Sequence, residues 1–274
     1  MQLMAECQSA PGADRFMMLA NLRLVVMGIT LGITLQAAEP LRVFIRSSPK
    51  THGGANGNHD YPAFLDSWSK LLPAHGAVAT GAPRFPTADE LSRTDVLIDY
   101  SSDGANFSAP EKELLEGYLR RGGGLVVIHD GMCGPEPDWF SRLAGGAKLH
   151  GGPKNSRSGM MRLHFEDPAN PILRGAVDKG AVDFDFDDEM FFLLTTQPGI
   201  KVLATTADPT GKIVPQLWTW ENKLPGGKDY RAFVTLQGHK ITNFDNPVFQ
   251  GLLLRGIAWA GGRSTESLLP VTAP

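Results

Sequence analysis

The chain has 274 residues, 42% of them hydrophobic and 20% charged, and a formal net charge of −3; its pI is near 6.2 and its mean hydropathy is −0.14. These values argue against long disorder and against a polytopic membrane protein. A near balance of 26 basic and 29 acidic residues leaves no basic footprint for nucleic acid, and two cysteines cannot build a disulfide framework.

In chain order, the first feature is Leu24–Leu35, LVVMGITLGITL, twelve residues without a charge. A span of the hydrocarbon core needs roughly 20. Arg23 precedes the run, and Gln36-Ala37-Ala38 follows it with small residues. Residues 1–38 therefore read as a secretory signal peptide, cleaved after Ala37 or Ala38. Glu6 and Asp14 are foreign to such a leader, which points to translation starting at Met17 or Met18. The mature chain of about 236 residues then keeps Cys133 and loses Cys7, is expected in the periplasm or outside the cell, and carries no membrane anchor.

Leu41–Ser47 alternates apolar and polar residues as a first strand. Pro49–Asp60, rich in glycine and holding His59, is a loop. Phe64, Leu65, Trp68, Leu71 and Leu72 give Tyr61–Leu72 a helical period, and Ala77–Thr80 is a weak second strand. Thr87-Ala88-Asp89-Glu90 and Ser108-Ala109-Pro110-Glu111 have the capping-box form, and Gly122–Gly124 stops the helix behind the second box. Asp95–Tyr100 and Leu125–Ile128 are buried-type strands. This alternation predicts a parallel sheet with helices on both faces and a site where the strands' carboxyl ends meet the loops. The second half is richer in strands and loops, with strands at Met160–Phe165, Lys201–Thr206, Val214–Trp220 and Arg231–Leu236 and a closing helix over Asn246–Ala260. No linker divides residues 39–264, which read as one domain, with 265–274 as a C-terminal tail.

Polar residues collect at these strand ends. His129-Asp130 follows LVVI, His59 lies after the first strand, His239 follows VTLQG, and His150 follows a short helix around Trp139–Ala144. Four histidines with Asp188-Glu189, the end of an acidic run, have the donor chemistry for Zn²⁺ or another divalent ion, or for acid–base work. The spacing matches no HxH or HExxH pattern, and each histidine alone is more often a structural hydrogen-bonder; their coincidence at strand ends is what raises the set. In the run itself, Asp183, Asp185 and Asp187 alternate with Phe184 and Phe186 as a half-exposed strand would, which leaves only Asp188 and Glu189 in need of a role. Cys133 follows a strand as an elbow nucleophile does, but Pro135 and Pro137 argue against a helix beginning there, and a partly buried thiol is the simpler reading. Trp218 and Trp139 are the candidates for stacking on a sugar, whereas Trp68 and Trp259 sit in helical core patterns.

The motifs GGGLVVIHDG, LAGGAKLHGG, DDEMFF, VPQLWTW, RAFVTLQGH and NPVFQGLLLRGIAWAGG occur in that order between Leu41 and Gly262. In order and spacing the chain resembles the ThuA-like (trehalose-utilisation) family. It departs from the pattern with Asn170-Pro171 in place of His-Pro, and with Phe191 or Phe192 in place of a tyrosine. The resemblance implies a single three-layer α/β domain of the flavodoxin or class I glutamine amidotransferase type, with a mostly parallel sheet. It also implies a place in disaccharide breakdown beside oxidoreductases that make 3-keto sugars, without glutaminase chemistry.

The expectation that follows is a metal-assisted lyase or hydrolase acting on a 3-keto-glycoside. His129, His150 and His239 are assigned to the metal, Zn²⁺ first. Glu189 is the base and Asp188 orients a ligand or a sugar hydroxyl. His59 and Trp218 bind substrate, His59 being also the reserve ligand or acid. The partner is a small sugar or glycoside, with a homo-oligomer allowed. The alternative is a non-catalytic carbohydrate-binding or scaffold domain, which predicts side-chain tips more than roughly 8 Å apart, too far to share an ion with bonds of about 2 Å. A cysteine hydrolase predicts a histidine within hydrogen-bond reach of Cys133.

Overall fold

The structure, a computed structural model, describes residues 39–50, 57–151, 153–176 and 182–270. The chain divides into two units between Ala38 and Glu39; the expected leader lies outside the described residues. No helix among the described residues is long and apolar enough to cross a membrane.

The elements in chain order are β1 Arg42–Arg46, α1 Tyr61–Ala74, β2 Val78–Ala82, α2 Ala88–Ser92, β3 Val96–Asp99, α3 Ala109–Arg120 and β4 Gly124–Ile128. After a 3₁₀ turn at His129–Met132 come β5 Cys133–Gly134, α4 Pro137–Ala144, β6 Gly146–Leu149, β7 Ser156–Phe165, β8 Asp183–Phe191, β9 Thr195–Thr196, β10 Lys201–Ala207, β11 Ile213–Lys223, β12 Asp229–Thr235 and α5 Pro247–Ala260. Nine strands form one sheet in the order β2-β1-β3-β4-β12-β11-β10-β7-β8, and β5-β6-β9 form a small second sheet. The large sheet is parallel from β2 through β12 and antiparallel from β12 through β8. The change follows the connections: the first half crosses over through helices, whereas β7–β8 and β10–β11–β12 return directly.

Alternation along the strands builds three layers. Val43, Ile45, Val96, Ile98, Val126 and Ile128 face one core, where α1 supplies Phe64, Trp68 and Leu72 and α5 supplies Leu253 and Ile257. Phe44, Leu97, Leu125 and Val127 face the other, closed by Leu91 of α2, Leu115 and Leu119 of α3 and Phe140 of α4. Each strand is apolar on both sides because each side meets helices. Both capping boxes form: Glu90 N–H donates to the Thr87 hydroxyl at 3.2 Å while Thr87 N–H donates back to the Glu90 carboxylate at 2.7 Å, and Ser108 N–H donates to Glu111 at 2.8 Å. Leu268 is buried in the α1–α5 core, so the folded body reaches into the segment read as a tail.

Two expectations change here. The prolines after Cys133 do not forbid a helix, since α4 opens on Pro137 at a position that needs no N–H. Trp218 is no sugar platform. Its indole is fully buried, its Nε1–H donates to the Ala144 carbonyl at 3.0 Å, and the ring lies so close to Gly146 that a Cβ there would stand 2.5 Å from it. Trp139 is partly buried, with its Nε1–H on Glu116 at 3.0 Å and the Lys112 ammonium over its ring. Trp218→Ala should therefore act on stability, lowering the unfolding free energy by about 3–5 kcal/mol in a denaturant titration. Thr87→Ala should cost about 1 kcal/mol by the same measurement, through the lost cap.

Candidate metal centre

Three strands deliver histidines to one edge of the sheet. The chain leaves β1 and returns through Asn58, which bridges to Lys240, and His59 N–H donates to the His239 carbonyl at 2.8 Å. His239 itself follows β12, and His129 is the first residue beyond β4. Since β1, β4 and β12 run parallel, their carboxyl ends lie side by side, where open α/β sheets bind ligands.

The fourth group arrives from the far edge of the sheet. β7 joins β10 through only two residue pairs, Phe165 with Ala204 and His164 with Thr205. The rest of the β7–β8 hairpin pairs only with itself, from His164–Asp183 to Ser156–Phe191. Freed from the sheet, its outer end reaches the strand ends, where the Phe191 carbonyl accepts from Gln216 at 2.8 Å and Phe191 stacks on His129 with ring centroids 4.5 Å apart. Asp188 and Glu189 come with it, while Asp183, Asp185 and Asp187 face solvent as the alternation predicts.

Asp188 is fully buried. Its Oδ1 accepts the backbone N–H groups of Glu189 at 2.7 Å and His239 at 2.9 Å; its Oδ2 accepts Gly238 N–H and Asn243 Nδ2, both at 2.8 Å. It orients the site through the backbone on both sides of it.

Around that anchor four donors converge. His59 Nε2 lies 3.2 Å from His129 Nε2 and 3.0 Å from His239 Nδ1. Glu189 Oε2 lies 3.5 Å from His129 Nε2 and 3.2 Å from His239 Nδ1. All four donor atoms lie within 4.8 Å of one another, well inside the separation that a scaffold role predicts. Zinc bonds of about 2.0–2.1 Å set neighbouring donors roughly 3.3 Å apart across a tetrahedral angle, so these spacings suit one small divalent ion. His129 Nδ1 lies 2.8 Å from the Leu236 carbonyl, which can only accept; Nδ1 therefore carries a proton, and Nε2 is the nitrogen that faces the cluster.

Carboxylates dominate the electrostatics. Burial disfavours the charged form of His129, but Asp130, Glu189 and Asp188 outweigh it and raise its pKa to about 9. Burial also opposes the charge on Glu189, yet His129 and His239 hold it well below the usual carboxylate range. Asp130 stands at the edge of the cluster, with Oδ2 3.5 Å from His59 Nε2 and Oδ1 3.8 Å from His129 Nε2, and it accepts the Tyr61 hydroxyl at 2.7 Å. Despite burial, the two histidines and that hydroxyl keep it below its ordinary pKa.

The expected set is thus reordered. His129 and His239 hold their assigned place. His59, assigned to substrate, stands among the donors, and so does Glu189, assigned as base. His150 is absent from the cluster: β6 belongs to the small sheet, and the half-exposed imidazole that follows it pairs with Asp103. Asn170 replaces no ligand; its side chain caps the turn at Pro171–Leu173 by accepting Ile172 N–H. The neighbours of the Cys133 thiol are Asp130 at 3.6 Å and Lys148 at 3.7 Å, and burial, with Asp130 adding to it, pushes its pKa up. A thiol so placed is no nucleophile. Sequence reading gave no role to Tyr61 or Asp130, although Asp130 beside His129 at a strand end carried the signal.

The family model for ThuA, trehalose utilisation, matches residues 56–260, which include all four donors. No curated protein matches the chain. Among solved structures, a ThuA-like protein from Parabacteroides merdae ATCC 43184 superposes with a TM-score of 0.61 at 18% identity, covering 82% of this chain and 92% of that one. A ThuA-like protein from Bacteroides uniformis ATCC 8492 gives 0.62 at 16% identity, covering 82% and 93%. A β-galactosidase from Bacillus circulans sp. alkalophilus gives 0.52 at 13% identity, with 83% of this chain matching 32% of that enzyme. At these identities the likeness is one of fold, and the family assignment rests on the sequence match: the chain belongs to the ThuA, or trehalose-utilisation, family.

Proposed function

We propose that this chain is an exported divalent-metal enzyme of sugar catabolism, with zinc as the first choice of ion and a 3-keto-glycoside as substrate. The observation that carries the reading is the convergence of His59, His129, His239 and Glu189 at separations that fit one ion. A neutral sugar suits a chain whose charges nearly balance, and the trehalose-utilisation family supports a place in disaccharide breakdown. The leader read in residues 1–38 supports export to the periplasm or beyond.

A bound cation would polarise the substrate's ketone oxygen as a Lewis acid. The ketone at C3 acidifies the proton on C2, and the aglycone at C1 is then β to the carbonyl, so base-assisted loss of the aglycone needs no oxidant. With Glu189 committed to the donor set, the base falls to Asp130. It is ionised at neutral pH, stands beside the donors and is held in place by the Tyr61 hydroxyl. Buried Tyr61 keeps its own proton, because burial and Asp130 raise its pKa.

Metal analysis of the purified full-length protein should find about one divalent ion per chain. Chelation, or His239→Ala, should abolish both the metal and the turnover of 3-keto-glycosides; an empty protein, or unchanged turnover, returns the chain to the carbohydrate-binding alternative. Asp188→Asn presents an NH₂ group to two N–H donors and should weaken metal affinity 10- to 100-fold with the fold retained, as read by competitive chelator titration.

A further inference from the structure

A second cavity lies toward the other end of the sheet from the donors. β11 runs antiparallel to β12, and its last residues pair with the first of that strand, Trp220 with Ala232 and Asn222 with Tyr230. His239 follows the opposite end of β12, beyond Thr235. From Tyr230 to Thr235 the strand rises roughly 17 Å, and the cavity shares no residue with the donor set. Its volume of about 530 Å³ is that of a small-molecule site. Two of its walls are indoles that the core leaves partly exposed, Trp139 of α4 and Trp220 of β11.

These walls are braced. Glu116 of α3 accepts the Trp139 Nε1–H at 3.0 Å and pairs one turn on with Arg120 at 2.7 Å. The left-handed Gly145 that caps α4 lies against the root of Trp220, where a Cβ would stand 3.0 Å from the indole Cγ. Asn222 ties the end of β11 to α4, its Nδ2 donating to the Arg142 carbonyl at 2.9 Å, and Gln197 Nε2 donates to the Ser141 hydroxyl at 2.8 Å. A ligand therefore meets a preorganised lining and need not order it.

The lining also selects the ligand. A pyranose presents C–H groups that pack on indoles, and hydroxyls that both donate and accept. The Glu116 carboxylate and the Gln197 amide oxygen accept, and the Arg120 guanidinium donates. Charge narrows the class further. One carboxylate, Glu116, stands against three cations, Arg120, Arg142 and Lys223. Arg120 is paired with Glu116, whereas Arg142 and Lys223 have no ion-pair partner among the described residues. Two positive charges are thus uncompensated, and a carboxylate on the ligand would meet them.

We propose that this cavity is a second saccharide site, remote from the metal centre, which holds a pyranose bearing a carboxylate, as in a uronic acid residue of a glycan. The indoles receive the ring, Glu116 and Gln197 accept its hydroxyls, and Arg142 and Lys223 hold the carboxylate. The assignment stands apart from the proposed function and requires neither the metal nor turnover.

The test titrates the full-length protein by calorimetry with three probes: methyl glucuronide, methyl glucoside and uridine monophosphate. Methyl glucuronide should bind saturably, at one site per chain, with or without a chelator present. Arg142→Gln combined with Lys223→Gln should weaken it at least about tenfold, with melting temperature and bound metal as in the wild type. Trp220→Ala should abolish binding; because that ring also packs on α4, the exposed double variant separates loss of the site from loss of the fold. The proposal is overturned by no saturable binding, by equal binding of methyl glucoside, or by tighter binding of the nucleotide. Loss of binding on chelation overturns it too, as does a double variant that binds like the wild type.

Discussion

A single buried carboxylate, Asp188, is the constraint on which the site depends. A carboxylate is tolerated in a protein interior only when its lone pairs are met. Here each oxygen accepts two N–H donors, drawn from β8, from the turn after β12 and from Asn243. Charge-assisted bonds of this length are the strong kind. They join two pieces of backbone that lie four strands apart in the sheet order. The side chains just beyond them, Glu189 and His239, then meet at 3.2 Å. Backbone bonds from Asp188, and the His59 N–H on the His239 carbonyl, set these positions more firmly than side-chain packing alone would.

Much of this was legible locally. Apolar runs and capping boxes place the parallel half of the sheet within a residue or two, and the strand ends they define carry His129 and His239. What could not be read was non-local. His59 and His150 look alike in sequence, each in a glycine-rich loop, the first read after a strand and the second after a short helix. The difference is that β1 belongs to the large sheet and β6 to the small one, so only the first loop ends at the common edge. Trp218 misled for a related reason. The middle of β11 is buried on both faces, and a strand covered twice loses the alternation that tells an inward ring from an outward one. The folding of the β7–β8 hairpin over the strand ends left no local trace, since it depends on where pairing with β10 stops.

The residue that follows β4 illustrates how a fold can keep a geometry and change its chemistry. A sharp, strained turn after a central strand lifts one side chain out of the sheet, which is how elbow nucleophiles are presented. His129 keeps the strain, with φ at 49°, but offers an imidazole whose free nitrogen faces other donors. The one cysteine nearby is lodged on β5 between Asp130 and Lys148, where a thiolate is disfavoured.

The two-pair seam between β7 and β10 also divides the molecule into parts of unequal cohesion. A hairpin paired to the sheet at one end, and otherwise held by Met161, Leu163, Phe186 and Met190 in the α1–α5 core and by Asp188 and Phe191 near the site, opens only by giving up those contacts, while the strand pairing of the parallel half is untouched. Amide hydrogen exchange along β7 and β8 then reports this partial opening and not global unfolding. Glu189 rides on the hairpin and His239 on the sheet, so a ligand gripped by both binds only the docked arrangement and adds its binding free energy to the closure. The hairpin is in this sense a clasp, and what fills the site decides how tightly it is fastened.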